Sequence, residues 1–410
     1  MKRFSWAAAL MLAIVTVGCS GRNDSSEPTA TLPPPTASAS PSTPPTATRE
    51  PVPTEEVPGK VPVRWRWDSG LFNAIIWVRS DDSFVAATYG GLYEGPANFS
   101  PQPGGIALLD GATGSQVWRF ETPTQAFPAA FIDDEVVFGT GNGTVFALGR
   151  ASGVERWRIE FDGIPFQVVS AGDVVLVADA DPETWGPNGL VDKTRLGGRV
   201  WGVDPQTGKV LWKQNVGSFN AFIGTAGSVV VASASTPQVN SETKAFDVHS
   251  GAELWSQPYE ASSPPAVTTK EVLIPGATMR TFDTATGADL WAATPPNGGT
   301  FFFPLVAGDV AVAASNTGTI SILDAATGQE RGVAQMGDCS ARWFEFDDLP
   351  YGIVCTGLVR LEPDGSGWKL VVVLIPQGAI DSAAPIGRGV VISTGIGTAP
   401  ERVLVLEPVP

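Results

Sequence analysis

The sequence predicts an all-β fold: a ring of eight four-stranded antiparallel blades, that is, an eight-bladed β-propeller. Three observations carry this reading. A ten-residue segment recurs six times. Each recurrence is preceded by two further strand-like runs. One isolated strand near the start supplies what the last unit lacks.

The recurring segment reads LDGATGSQVW from Leu109, LGRASGVERW from Leu148, VDPQTGKVLW from Val203, FDVHSGAELW from Phe246, FDTATGADLW from Phe282 and LDAATGQERG from Leu323. Self-similarity at a period near 40 residues marks a repeat architecture. Residues before the turn alternate apolar with small or polar, the period of a half-buried strand. The turn carries Thr-Gly or Ser-Gly in every copy. Glycine there permits positive φ, and the preceding Asp or hydroxyl can bond the turn backbone. Four residues after the glycine stands a tryptophan: Trp118, Trp157, Trp212, Trp255 and Trp291. Gly332 takes that place in the sixth copy.

Weaker copies begin at Leu361 and Leu406, so the eight units are spaced by 36 to 55 residues. Upstream of each lie two more apolar runs, such as 126–132 and 135–140. Four short strands per unit make a propeller blade. The eighth unit lacks its last strand, while residues 63–67 (VRWRW) have strand composition and no partner nearby. That segment is expected to complete blade 8 and close the ring, which also removes an open sheet edge. The propeller is therefore assigned to residues 63–410.

With 43% apolar residues, 13 Trp and 20 Phe, the ring has ample material for a core. The net charge is −16, and residues 1–60 contribute equal numbers of acids and bases, so the imbalance belongs to the propeller. Nucleic acid demands a basic footprint and is excluded as a partner. An acidic ring is also unsuited to anionic lipid.

Residues 1–18 have a basic start (Lys2, Arg3) and an apolar stretch too short to span a bilayer, as in a signal peptide. The stretch ends Thr16-Val17-Gly18-Cys19, which resembles the lipobox of bacterial lipoproteins, with Thr16 where leucine is usual. Cys19 is then the lipidation site, which places the protein outside the cytoplasm and on the cell membrane. Residues 19–62 carry eleven prolines from Pro28 to Pro62 amid Thr, Ser and Ala. Such a segment cannot bury enough to fold and reads as an extended tether.

Two cysteines remain. Cys339 and Cys355 flank an expected hairpin with its turn at residues 347–348. Positions equidistant from a hairpin turn face each other, and export supplies an oxidising compartment, so a disulfide is expected.

The motif Asp-x-x-Thr-Gly-x-x-x-Trp, closing a four-stranded blade, resembles the pyrroloquinoline-quinone-type (PQQ-like) β-propeller repeat. The resemblance covers roughly residues 61–410. It implies one of two groups: large quinoprotein dehydrogenases, or cofactor-free binding propellers that include the lipoprotein of the outer-membrane barrel-assembly machine. Lipobox, tether and bare ring are similar to the second group. The resemblance further implies that the repeated tryptophans dock between blades. Five copies at one phase of a ring cannot all line one pocket.

Chemistry is sparse. The adjacent cysteine pair of many quinoprotein dehydrogenases is missing, and no cofactor is expected. His249 is the only histidine, which excludes multi-histidine zinc sites. No nucleophile elbow or phosphate-binding loop stands in its required context. Asp179, Asp181 and Glu183 alternate in the longest insertion and form a weak candidate cation site.

Strand order separates two faces. Thr-Gly turns are short and uniform on one. The B–C loops and D–A connectors on the other are long and varied, and binding concentrates on such insertions. Tyr93, Phe99, Trp185 and Phe301 are the candidate contacts there. The residues favour a non-enzymatic, monomeric scaffold binding a protein partner. A glycan or cell-wall ligand is the alternative, and quinone-dependent oxidation stands below both.

Overall fold

The computed structural model describes residues 54–56, 62–70, 74–91, 103–180, 198–216, 221–234, 242–336, 341–354, 357–365, 367–374, 379–395 and 402–407. Among these the chain forms eight separate antiparallel sheets. Blade 1 takes Ala74–Ser80, Phe84–Gly91, Gly104–Asp110 and Gln116–Thr122 from axis to rim. Blades 2 to 6 repeat that order, ending with Glu330–Gln335. Blade 7 uses Ala341–Phe346, Leu349–Val354, Gly357–Asp364 and Gly367–Leu374. The first strands of neighbouring blades touch one another around the ring, which makes them the innermost.

Blade 8 closes the circle. It holds Ala379–Ile386, Gly389–Gly395 and Arg402–Leu406, and its rim strand is Val63–Asp68, with Trp65 opposite Val405 and Trp67 opposite Val403. The strand before the first blade thus completes the last, as the sequence predicts.

The core lies at the seams between blades. Middle strands are buried on both faces: every residue of Val174–Ala180 is buried. Rim strands alternate instead. In Glu155–Glu160 the one fully buried residue is Trp157. Each aliphatic side chain removed from water in this way contributes roughly 1.5–3 kcal/mol.

Six seams share one device. A rim tryptophan lies over the turn glycine of the next blade, and its indole N–H donates to a carbonyl of the same turn. Trp65 bonds the Gly111 carbonyl at 2.9 Å, Trp118 that of Arg150 at 2.7 Å, and Trp212 that of Val248 at 2.7 Å. Trp157, Trp255 and Trp291 bond Pro205, Thr284 and Ala325. The turn glycine is required twice over. At Gly153 φ is +66°, and a Cβ would stand 2.7 Å from Cδ2 of Trp118.

Five of the six Thr-Gly or Ser-Gly turns are braced by an aspartate, Gly149 standing in its place in blade 2. Oδ1 of Asp204 accepts from the Thr207 N–H and hydroxyl at 2.9 Å and the Gln206 N–H at 3.0 Å. Asp110, Asp247, Asp283 and Asp324 do the same. These bonds favour the ionised form and hold the Asp110, Asp204, Asp247 and Asp283 carboxyls below the usual range. At Asp324 the Arg331 guanidinium acts first and the turn second.

One strand falls inside the segment assigned to the tether. Thr54–Glu56 pairs in parallel with Gly367–Leu374, with Thr54 opposite Leu370. The other rim strands carry charged or amide side chains, whereas residues 370–374 read LVVVL. An apolar rim edge is the kind that recruits another strand.

The hairpin expected in blade 7 is present: Ala341–Phe346 pairs with Leu349–Val354 around Asp347 and Asp348, both at positive φ. Cys339 and Cys355 lie outside the described residues, as does Cys19.

Candidate interaction surfaces

Two faces and a rim are available. The inner strands run from the long-loop face to the short-turn face, so Phe301, which opens the inner strand of blade 6, starts at the long-loop face. Its ring is fully buried in the core with Leu273, Met279 and Ala311. The run FFFPLVA forms a strand, and only its second and third rings, Phe302 and Phe303, are partly exposed. Phe301 is therefore a core residue and presents no ring for contact. Tyr93, Phe99 and Trp185 lie outside the described residues, together with Asp181 and Glu183.

Asp179 has a different role from cation ligation. It faces Arg199 across the two strands that flank the longest insertion. Arg199 Nε meets Oδ1 at 3.0 Å and Nη2 meets Oδ2 at 2.6 Å, a bidentate pair, while Nη1 reaches Asp162 at 2.6 Å. The Asp179 side chain is inaccessible to solvent. Burial pushes its carboxyl up and Arg199 pulls it back. The pair clamps the neck of the insertion, and both carboxylate oxygens are bonded to Arg199.

On the short-turn face, charged turns couple neighbouring blades. Arg150 of blade 2 meets Asp81 of blade 1. His249 of blade 4 meets Asp173 of blade 3 at 2.9 Å, both side chains being exposed. An open cleft of about 310 Å³ lies between blades 2 and 3, lined by Ile132, Asp133, Asp134, Glu135, Arg156, Pro205 and Gln206. Arg156 bridges Asp134 and Glu135. It holds the Asp134 carboxyl low, while burial pushes Glu135 up.

The rim holds a feature that the sequence reading passed over. The residue before the latch tryptophan points outward, and in four blades it is aliphatic and exposed: Val117, Leu211, Leu254 and Leu290. Blades 3, 4 and 5 thus present consecutive leucines at one level. The signal was legible as V-W or L-W in those four copies.

Ring, repeat and latch together define a PQQ-like β-propeller. A family model described as outer membrane protein assembly factor BamB matches residues 102–234 and 196–340, together more than half of the chain. The chain belongs to that family. BamB of Burkholderia pseudomallei (strain K96243) is 24% identical over 202 residues, covering 46% of this chain and 50% of that protein. BamB of Escherichia coli (strain K12) is 27% identical over 135 residues, or 33% of this chain and 31% of that protein. The chain thus matches between about a third and a half of the length of these relatives. A tetrathionate hydrolase of Acidithiobacillus ferrooxidans is 24% identical over 37% of this chain. Among solved structures, BamB from Moraxella catarrhalis is similar with a TM-score of 0.56 at 15% identity, covering 85% of this chain and 98% of that one. The computationally designed Ika8 protein reaches a TM-score of 0.61 at 16% identity, covering 83% and 98%. These two likenesses concern the fold.

Proposed function

We propose that this chain is a lipid-anchored, extracytoplasmic propeller that binds a protein partner as a scaffold in envelope protein assembly and performs no catalysis. Residues 1–18 are removed as a leader, Cys19 carries the lipid, and the segment to residue 62 tethers the ring. Membership of the BamB family supports this reading most directly. The disposition of the reactive candidates agrees with it: Asp179 is committed to Arg199 and His249 sits in an exposed turn. The leucine row on blades 3 to 5 offers apolar contact of the kind that partners cover.

Two experiments test it. Metabolic labelling with palmitate is expected to mark the wild-type chain and not Cys19→Ala; equal labelling refutes the anchor. Tagged full-length protein should retain envelope assembly components from detergent extracts, and Leu211, Leu254 and Leu290 changed together to Asp should abolish that retention. Retention on purified sacculi instead, unaffected by those changes, would support the glycan reading.

A further inference from the structure

Among the described residues, blade 7 is the one sheet of five strands: Thr54–Glu56 lies outside its rim strand Gly367–Leu374, in parallel. The pairing is partial. It sets Thr54, Glu55 and Glu56 opposite Leu370, Val371 and Val372, so three of the eight rim residues have an outer neighbour there. Carried on at the same register, residues 51–58 match Gly367–Leu374 end to end, and Pro51, Pro53 and Pro58 fall in that span. Proline has no N–H to give a ladder, so this segment can supply a short strand and no more. A parallel pair is also slightly less stable per residue than an antiparallel one.

The strand beneath is suited to being paired. Each of the seven other rim strands presents at least one exposed residue, whereas none of 367–373 is exposed. Charge commonly keeps an edge from recruiting strands, and residues 370–374 carry none. The sheet is apolar on both faces beside this edge. Leu370, with Trp368 and Val372 against the same cluster, packs with Val312 and Ile322 of blade 6. Val373 packs with Val390 and Ile392 of blade 8. A strand laid along the edge therefore finds apolar neighbours for its side chains on either face.

We propose that the rim edge of blade 7 is a docking site for an extended, proline-free segment of a partner protein, which pairs along Gly367–Leu374 in place of Thr54–Glu56. The chain's own strand shows the edge in use, with direction and register already set. Main-chain bonds supply affinity in this mode, and alternate side chains supply selectivity. β-Branched and aliphatic residues suit it best, because a pleated, half-buried surface favours them. Thr54–Glu56 is then a placeholder. Residues 57–62 alone separate it from Val63–Asp68 in blade 8, so it competes as a linked segment at high local concentration and yields to a longer strand. The site is separate from the leucine row on blades 3 to 5 and independent of the assembly role.

The test titrates the full chain into a fluorescently labelled peptide of residues 51–58 that carries Pro51→Thr, Pro53→Thr and Pro58→Thr. Anisotropy should show saturable binding. The same peptide with its prolines retained should bind roughly tenfold more weakly, since it forms fewer ladder bonds. Glu55→Pro combined with Glu56→Pro in the full chain unseats the placeholder, because adjacent strand residues cannot both point away from the edge, and affinity for the threonine peptide should then rise severalfold. Val372→Lys puts a charge on the edge and should abolish binding. Hydrogen exchange of the wild-type chain gives a reading that no variant can spoil: bound peptide should speed exchange at residues 54–56 and leave Gly367–Leu374 protected. No saturable binding to either form of the chain, equal affinity for the two peptides, no gain in the double variant, full binding to a folded Val372→Lys protein, or unchanged exchange at 54–56 would overturn the proposal. Dimerisation of the double variant without peptide binding would assign the edge to a second copy and overturn it as well.

Discussion

From blade 8 through blade 1 to blade 6, every seam is joined by a rim tryptophan over a turn glycine. The two seams that flank blade 7 are joined without one. Gly332 stands where the sixth blade would place its indole, and the blade 7 hairpin at Asp364 and Gly367 has no Thr-Gly turn to receive it. Packing takes over there. Val312, Ile322, Val359, Leu361 and Leu370 form one seam, and Tyr351, Leu358, Val390, Ile392 and Leu406 the other. A latch combines ring burial with a satisfied N–H, so geometry as well as area is specified. A seam packed without a latch specifies volume and leaves the turn free to drift, and the repeat decays in the sequence at the same place. The same blade also takes the extra rim strand Thr54–Glu56.

This contrast can be broken at several points. The largest effects should come from the two seam types themselves. Trp212→Ala removes a latch, and Leu361→Ala opens the seam between blades 6 and 7. Each is expected to cost about 3–5 and 2–5 kcal/mol respectively in urea unfolding. A Leu361→Ala variant with wild-type stability would mean that blade 7 is held by something other than packing. Gly251→Ala is smaller. It forces an alanine to a φ of +67° with its Cβ 2.6 Å from Trp212 Cδ2, so a cost of roughly 1–3 kcal/mol is expected. A cost near zero would show that the ring shifts freely.

Acid sharpens the comparison further. The turn aspartates titrate below the unfolded value of about 3.9. Their contribution is complete above that pH, and it is lost as pH falls through the folded values, because the unfolded chain then binds more protons. Stability should therefore drop below about pH 4, and Asp204→Asn should flatten that limb. Glu271, pushed up by burial, has the opposite sign. Its ionised form costs stability once pH rises above the unfolded value, so Glu271→Gln should raise the melting midpoint slightly at pH 7 and leave it unchanged in acid. A lower midpoint at pH 7 would mean that the carboxylate has a favourable partner.

Much of the fold was legible because the repeat states its own period, its turn and its missing strand. The sixth latch, Trp65, was not named from sequence, since its blade partners lie at the other end of the chain. A signal existed: Trp65, Trp118, Trp157 and Trp212 are each followed by Arg or Lys. The candidate site was less legible. Phe301 reads as a loop aromatic until its strand is paired, and Asp179 reads as a free carboxylate until register brings Arg199 opposite.

The central claim is that an opening segment, remote in sequence, serves as a full member of the last blade and latches it to the first. Urea unfolding of Trp65→Ala beside Trp212→Ala tests it most directly. The account expects comparable losses of about 3–5 kcal/mol, since both rings fill the same seat. A Trp65→Ala protein within about 0.5 kcal/mol of wild type, a value ordinary for an unpacked surface position, would contradict it.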